Sequence, residues 1–331
     1  MKQRIDTLDF LRGFALLGII FANVGPIILP SSIHTNLIWG KILEYVISER
    51  FFMIFSFLFG IGFYIFITRA VNRGDRSKIL FIRRLIALLI FGLIHQYFQP
   101  GEALLPYAIF GFILIPFYRL KPITNFITAV ILMVPAVFLG GSYFMILPMF
   151  LLGLCMGQWK VFERITAYQK GFRWVQIASL CLLPVVIYIQ YILSEQTGKS
   201  EQASSISAPF VSAFFVTSLT LLLRHNMIQK LLAPLKYVGR MALTNYLVQT
   251  ALILLASHLF HLTGDVHQTT LMNIAIVILI IQMIYSTIWF QYFKIGPMEF
   301  IWRIATYGKL PDRYKSNANY VKSLKSQTGR T

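Results

Sequence analysis

The chain has 331 residues, 57% of them hydrophobic and 13% charged, with a mean hydropathy of +0.68. That leaves too little polar surface for a body dissolved in water, so the bilayer is the expected solvent. A formal net charge of +18 would point to nucleic acid in a soluble protein, but here the bases fall between apolar runs as topology signals, and no nucleic-acid partner is expected.

A helix needs roughly 20 apolar residues to cross about 30 Å of hydrocarbon. Runs of about that length occupy Phe10 to Pro30, Phe51 to Thr68, Ile79 to Phe98, Ala103 to Tyr118 and Ile123 to Gly140. They continue at Tyr143 to Trp159, Trp174 to Leu193, Ile206 to Leu223, Val238 to Leu259 and Thr270 to Phe293. The runs are continuous rather than alternating, which selects helices over a barrel. The expected fold is all-α: a polytopic bundle of about ten transmembrane helices over residues 1–308, followed by a basic tail, 309–331, read as a disordered cytoplasmic extension. The fourth run carries Pro106 and Pro116 and is expected to be tilted, broken or partly re-entrant. The first run is too long for a signal-peptide core and is read as a mature helix.

Of the 30 Lys and Arg, all but Lys41, Arg50 and Lys199 fall in alternate connections and at the two ends. The positive-inside rule then puts both termini in the cytoplasm, with the bases facing the headgroups of the bilayer. Cys155 and Cys181 lie inside runs and offer neither a metal pair nor a disulfide. His258 and His261 are three apart near Asp265 and His267, but a loop beside an interfacial belt explains them without a metal, and none is expected.

Polar groups at membrane depth are default functional candidates. Asp9 and Arg12 share a helix face and are expected to pair, as a helix-entry motif or as part of a site. Asn23, just before Gly25 and Pro26, must find partners inside the bundle, as glue or as a ligand contact. His95, followed by Glu102 and then Tyr107, is the leading catalytic candidate: an imidazole can act as a base, and a nearby carboxylate can fix its tautomer. The competing reading is an interfacial hydrogen-bonder at a helix end. Thr244, Asn245 and Gln249 enter the ninth run as a polar seam, lining a cavity or joining helices. The segment Gly296 to Gly308 reads as an amphipathic cytoplasmic stretch.

Six blocks carry a resemblance: LDFLRGFALLGIIFAN (8–23), FSFLFGIGF (55–63), RRLIALLIFGLIH (83–95), EALLPYAIFGF (102–112), GRMALTNYLVQT (239–250) and GPMEFIWRIATYG (296–308). In this order and spacing they resemble the YeiB-like family of bacterial inner-membrane proteins, a domain of unknown function. That family looks like a distant relative of the transmembrane acyltransferases. The resemblance implies a bundle in the bacterial plasma membrane that takes an acyl group from cytosolic acyl-CoA, with no other cofactor evident, and delivers it to a small-molecule or glycan acceptor at the outer face. It also implies a catalytic pair of His95 and Glu102, with Glu102 where the family usually has Asp. Asn23 stands where the sugar O-acyltransferases have a catalytic histidine, and His34 falls near a loop position used by the glucosamine acetyltransferases. Arg12, with Arg83 or Arg84, is implied to hold CoA phosphates, although positive-inside topology explains Arg83 and Arg84 equally well. A transporter of a small amphipathic molecule is the alternative reading, a scaffold without chemistry is a third, and a homodimer stays open.

Overall fold

The computed structural model describes residues 5–308; the tail at 309–331 lies outside the described residues. In chain order the elements are α1 (Asp6–Ile28), β1 (Ser32–His34), α2 (Leu37–Ile42), a π-helical turn (Leu43–Ile47), α3 (Arg50–Asn72), α4 (Ser77–His95) and α5 (Leu104–Leu114). A 3-10 turn (Pro116–Arg119) leads to α6 (Pro122–Leu139), α7 (Ile146–Gln158), α8 (Gln169–Thr197) and α9 (Ser200–Leu222). The chain closes with α10 (Asn226–Leu231), α11 (Ala233–Arg240), α12 (Ala242–Leu259), β2 (Asp265–His267), α13 (Gln268–Tyr292) and α14 (Pro297–Tyr307).

The fold is an all-α polytopic bundle, and each of the ten apolar runs holds a helix. Seven helical stretches among the described residues are long and apolar enough to cross a membrane. α5 and α7, at 11 and 13 residues, reach only about 17 and 20 Å at 1.5 Å per residue. Pro116 accounts for the short α5, because a proline there cannot continue the backbone ladder. The ninth run is two helices rather than one, since the chain turns at Met241 between α11 and α12. The segment Leu37–Ile47 before α3 is helical although its sequence gives no long apolar run.

The basic connections gather at one end of the bundle. There Lys236 Nζ meets Asp6 Oδ2 at 2.5 Å, Arg73 reaches the Tyr307 hydroxyl at 3.2 Å, and Trp302 Nε1 donates to the Arg84 carbonyl at 2.8 Å. α14 is thereby laid across the basic end. At the opposite end β1 and β2 form a short parallel pair with His34 in register with His267. The bundle is staggered: a Cβ on Gly18, near the middle of α1, would lie 2.0 Å from the Phe51 ring, so α3 begins level with mid-α1. α1 and α11 are in backbone contact at Gly13 and Gly239, where a Cβ would come within 2.0 Å of Leu235 O and 1.8 Å of Asp9 O.

Candidate functional site

A cavity of about 1180 Å³ opens among the described residues. From α1 and its N-cap Ile5 it is lined by Ile5, Leu8, Asp9, Arg12, Leu16, Gly18, Ile19, Ala22, Asn23 and Pro26. Apart from Gly18, that spacing is a single helical stripe. The 22 residues from Ile5 to Pro26 span about 32 Å of helix, comparable with the hydrocarbon thickness. α3 and its C-cap Arg73 contribute a second stripe from Phe51 to Arg73. The cavity therefore follows the bundle from the basic end toward the opposite one.

Its basic mouth is lined by Arg12, Arg69, Arg73, Arg84, Arg240, Lys294 and Arg303, against the acids Asp9 and Glu299. Arg12 Nη1 pairs with the buried Asp9 at 2.9 Å, as the three-residue spacing predicts. The Arg84 guanidinium lies 3.6 Å from the Trp302 ring centroid, which aims it along the wall. Glu299 Oε1 accepts the N–H groups of Leu243 (2.7 Å) and Thr244 (3.2 Å), and Oε2 accepts Thr244 Oγ1–H at 2.6 Å. It thus serves the unpaired donors at the start of α12. Burial raises its carboxyl above the ordinary carboxylate range, against the pull of those hydrogen bonds. Arg83 is exposed and lies outside the lining, so of the two adjacent arginines only Arg84 reaches the cavity.

His95 and Glu102 come together, with Nδ1 3.5 Å from Glu102 Oε2. Both are buried, and neither lines the cavity. His95 Nε2 lies 2.9 Å from Thr250 Oγ1, which donates to Gln99 Oε1 at 2.7 Å; Gln99 Nε2 in turn donates to the Tyr246 hydroxyl at 3.1 Å. Glu102 also accepts the Leu104 and Leu105 N–H groups at 2.6 and 2.5 Å, capping α5. Thr250 sits midway along α12, which places the pair at helix mid-depth rather than at the outer surface. Neither imidazole nitrogen is turned to the cavity. The cavity-facing end of this chain is Tyr246: its hydroxyl accepts from Gln99 and from Ala103 N–H (3.1 Å) and has no acceptor for its own proton among the described residues. Tyr107 lines the wall too, but its hydroxyl bonds to Ser56 Oγ at 2.6 Å and donates to Phe52 O at 3.2 Å.

A second polar centre was invisible in the sequence. Between the π-helical turn and α3 the helix breaks at Ser48, and Glu49 adopts φ 65°, a conformation that disfavours a residue with a Cβ. The break frees backbone carbonyls inside the bundle, and these need donors from the protein. The fully buried Arg50 supplies them: Nη1 donates to Glu44 O (2.8 Å) and Ser48 O (2.5 Å), and Nη2 to Gln190 Oε1 (2.7 Å) and Ser207 Oγ (2.5 Å). Arg50, expected among the outer-face charges, is thus a core residue that splices a broken helix. Glu49 lines the cavity beside it, with Ser205 Oγ donating to Oε2 at 2.8 Å.

The remaining candidates divide clearly. Asn23 lines the cavity and its amide makes no hydrogen bond among the described residues. Thr244, Asn245 and Gln249 are buried away from it and join helices. Asn245 Nδ2 donates to Val238 O and Ser286 Oγ (both 3.1 Å), its Oδ1 accepts the Tyr285 hydroxyl, and Gln249 Nε2 donates to Gln282 Oε1 at 2.9 Å. Of the two readings of that seam, the structure selects helix-to-helix bonding. His34 is exposed on β1, its ring 5.1 Å from that of His267, and does not line the cavity.

Residues 156–309 match the family described as "Protein of unknown function (DUF418)". The chain is 39% identical to an uncharacterised 39.9 kDa protein in the amylase 3′ region of Bacillus acidopullulyticus, over 96% of this chain and 99% of that protein. It is 28% identical to the uncharacterised protein YxaH of Bacillus subtilis (92% and 95% covered) and 26% identical to the uncharacterised protein YeiB of Escherichia coli (92% and 96%). No solved structure matches.

Proposed function

The chain belongs to the DUF418 family of proteins of unknown function, and we propose that it is an acyltransferase-like enzyme. In this reading acyl-CoA enters the basic mouth, and its acyl group passes to an acceptor reaching the cavity from the opposite end. The observation that carries it is the cavity itself: guanidinium groups at one end, an aromatic and aliphatic middle, and polar walls beyond. CoA is a polyanion with a flat base and a long thin arm ending in a thioester. Planar guanidinium forks suit its phosphates, and Trp302 and Tyr307 supply ring faces beside them.

The unspent Tyr246 proton supports the chemical half of the reading. A hydrogen bond from it to the thioester carbonyl oxygen stabilises the charge that develops when an acceptor attacks. His95 and Glu102 then act from behind the wall, through Thr250 and Gln99, as positioning residues. The basic end faces the cytoplasm, where acyl-CoA is made, and the membrane is the bacterial plasma membrane. A transporter of a small amphipathic molecule is the second reading, favoured by the helix break at the cavity wall.

Proteoliposomes separate the two. With labelled acetyl-CoA on the basic face, the enzyme reading expects label in a covalent product together with free CoA thiol. Flux of an unaltered substrate, with no thiol released, contradicts it and favours transport.

A further inference from the structure

We propose that Glu49 is the general base of this site, the group that receives the proton of the attacking acceptor. The inference rests on the acyltransferase reading and goes beyond it, since no motif singles out Glu49.

Three independent features converge on this residue. Glu49 lines the cavity at the level of mid-α1, where a carboxylate is expensive and, by default, functional. Its backbone is held at φ 65°, and such strain persists only where the surroundings enforce it. The enforcing element is the Arg50 splice, whose bonds to Glu44 O and Ser48 O hold the break that turns residue 49 toward the cavity. The carboxylate is also half used: Ser205 Oγ–H occupies Oε2, while Oε1 has no partner among the described residues. A carboxylate oriented through one oxygen and open at the other is the arrangement a base requires. His95, with both nitrogens engaged behind the wall, does not offer it.

The step balances without a further reactant. The acceptor oxygen or nitrogen bonds to the acyl carbon as its proton moves to Glu49 Oε1. The tetrahedral centre then collapses, the carbon–sulfur bond breaks, and the proton passes from Glu49 to the departing thiolate, leaving CoA as the thiol and Glu49 ionised again.

The test uses the full chain in lipid nanodiscs, acetyl-CoA as donor and water as the acceptor, with thiol release and acetyl-CoA retention measured in parallel. Glu49→Gln keeps the shape and the Ser205 contact but accepts no proton. It is expected to retain acetyl-CoA within about threefold while thiol release falls about a hundredfold or more. Glu49→Ala is expected to lose release similarly and to regain part of it with added formate, which a merely structural residue would not show. Release by Glu49→Gln at the wild-type rate, or no formate rescue of a folded Glu49→Ala protein, overturns the proposal and leaves the acyltransferase reading intact. A wild-type protein that retains acetyl-CoA but releases no thiol also overturns it, and one that does neither removes both readings.

Discussion

Gly60 of α3 and Gly153 of α7 bring their two helices into backbone contact: a Cβ on Gly60 would lie 2.1 Å from Phe150 O, and one on Gly153 would lie 2.0 Å from Phe57 O. Between helices in lipid, such close approach replaces the hydrophobic drive that water would supply. This contact sets the back of α3, whose other face lines the cavity. Gly153→Val is therefore expected to destabilise the bundle by about 3 kcal/mol or more, because backbone cannot yield as a side chain does. Gly171, in open space on α8, is the control: Gly171→Ala changes stability by no more than about 1 kcal/mol. Thermal unfolding in detergent reads both.

Arg50 carries the second prediction. Arg50→Leu strips charge-assisted bonds from two carbonyls, Gln190 and Ser207, each bond worth about 1.5–3 kcal/mol. The variant is expected to unfold at clearly lower temperature. Arg50→Lys restores little, since an ammonium lacks the fork that spans these partners.

Glu299 predicts a pH dependence at the basic end. Its folded-state carboxyl binds a proton more tightly than an ordinary one, owing to burial. The stability it contributes is therefore full below the ordinary carboxylate value and is lost as pH rises through the raised one. Glu299→Gln is expected to flatten that fall in a series of melts from acid to neutral pH. Glu299→Ala, which leaves the Leu243 and Thr244 donors unserved, costs about 0.5–2 kcal/mol, as the loss of other helix caps does.

Arg83 and Arg84 give an internal comparison for the basic mouth. Arg84→Ala is expected to weaken acyl-CoA retention roughly tenfold, the scale of one charged hydrogen bond. Arg83→Ala, outside the lining, leaves retention unchanged. Equal losses for the two would mean that net positive charge, rather than this wall, attracts the ligand.

What could be read in the sequence follows from the range of the forces involved. Apolar runs and the Asp9–Arg12 pair are local, and both reappear in the structure. His95 and Glu102 are close in sequence and meet, but their depth and their relay through Thr250 and Gln99 to Tyr246 depend on α12, distant in the chain. Arg50 shows the limit of charge counting. A base at a helix end looks the same whether it faces headgroups or splices a break inside the core, and only the packing of α8 and α9 decides. Leu37–Ile47 gave no signal because Lys41 and Glu44 interrupt its hydropathy. The cavity had none either, being made by stripes of α1 and α3 that become a wall only when they face each other.

The most direct measurement is equilibrium binding of labelled acetyl-CoA to the purified protein, repeated with Arg84→Ala and Arg83→Ala and competed with free CoA. Saturable binding that CoA displaces, weakened by the first substitution and indifferent to the second, is the predicted result. Absence of binding across acyl chains of different length would contradict the assignment of the basic mouth to acyl-CoA, and with it the acyltransferase account.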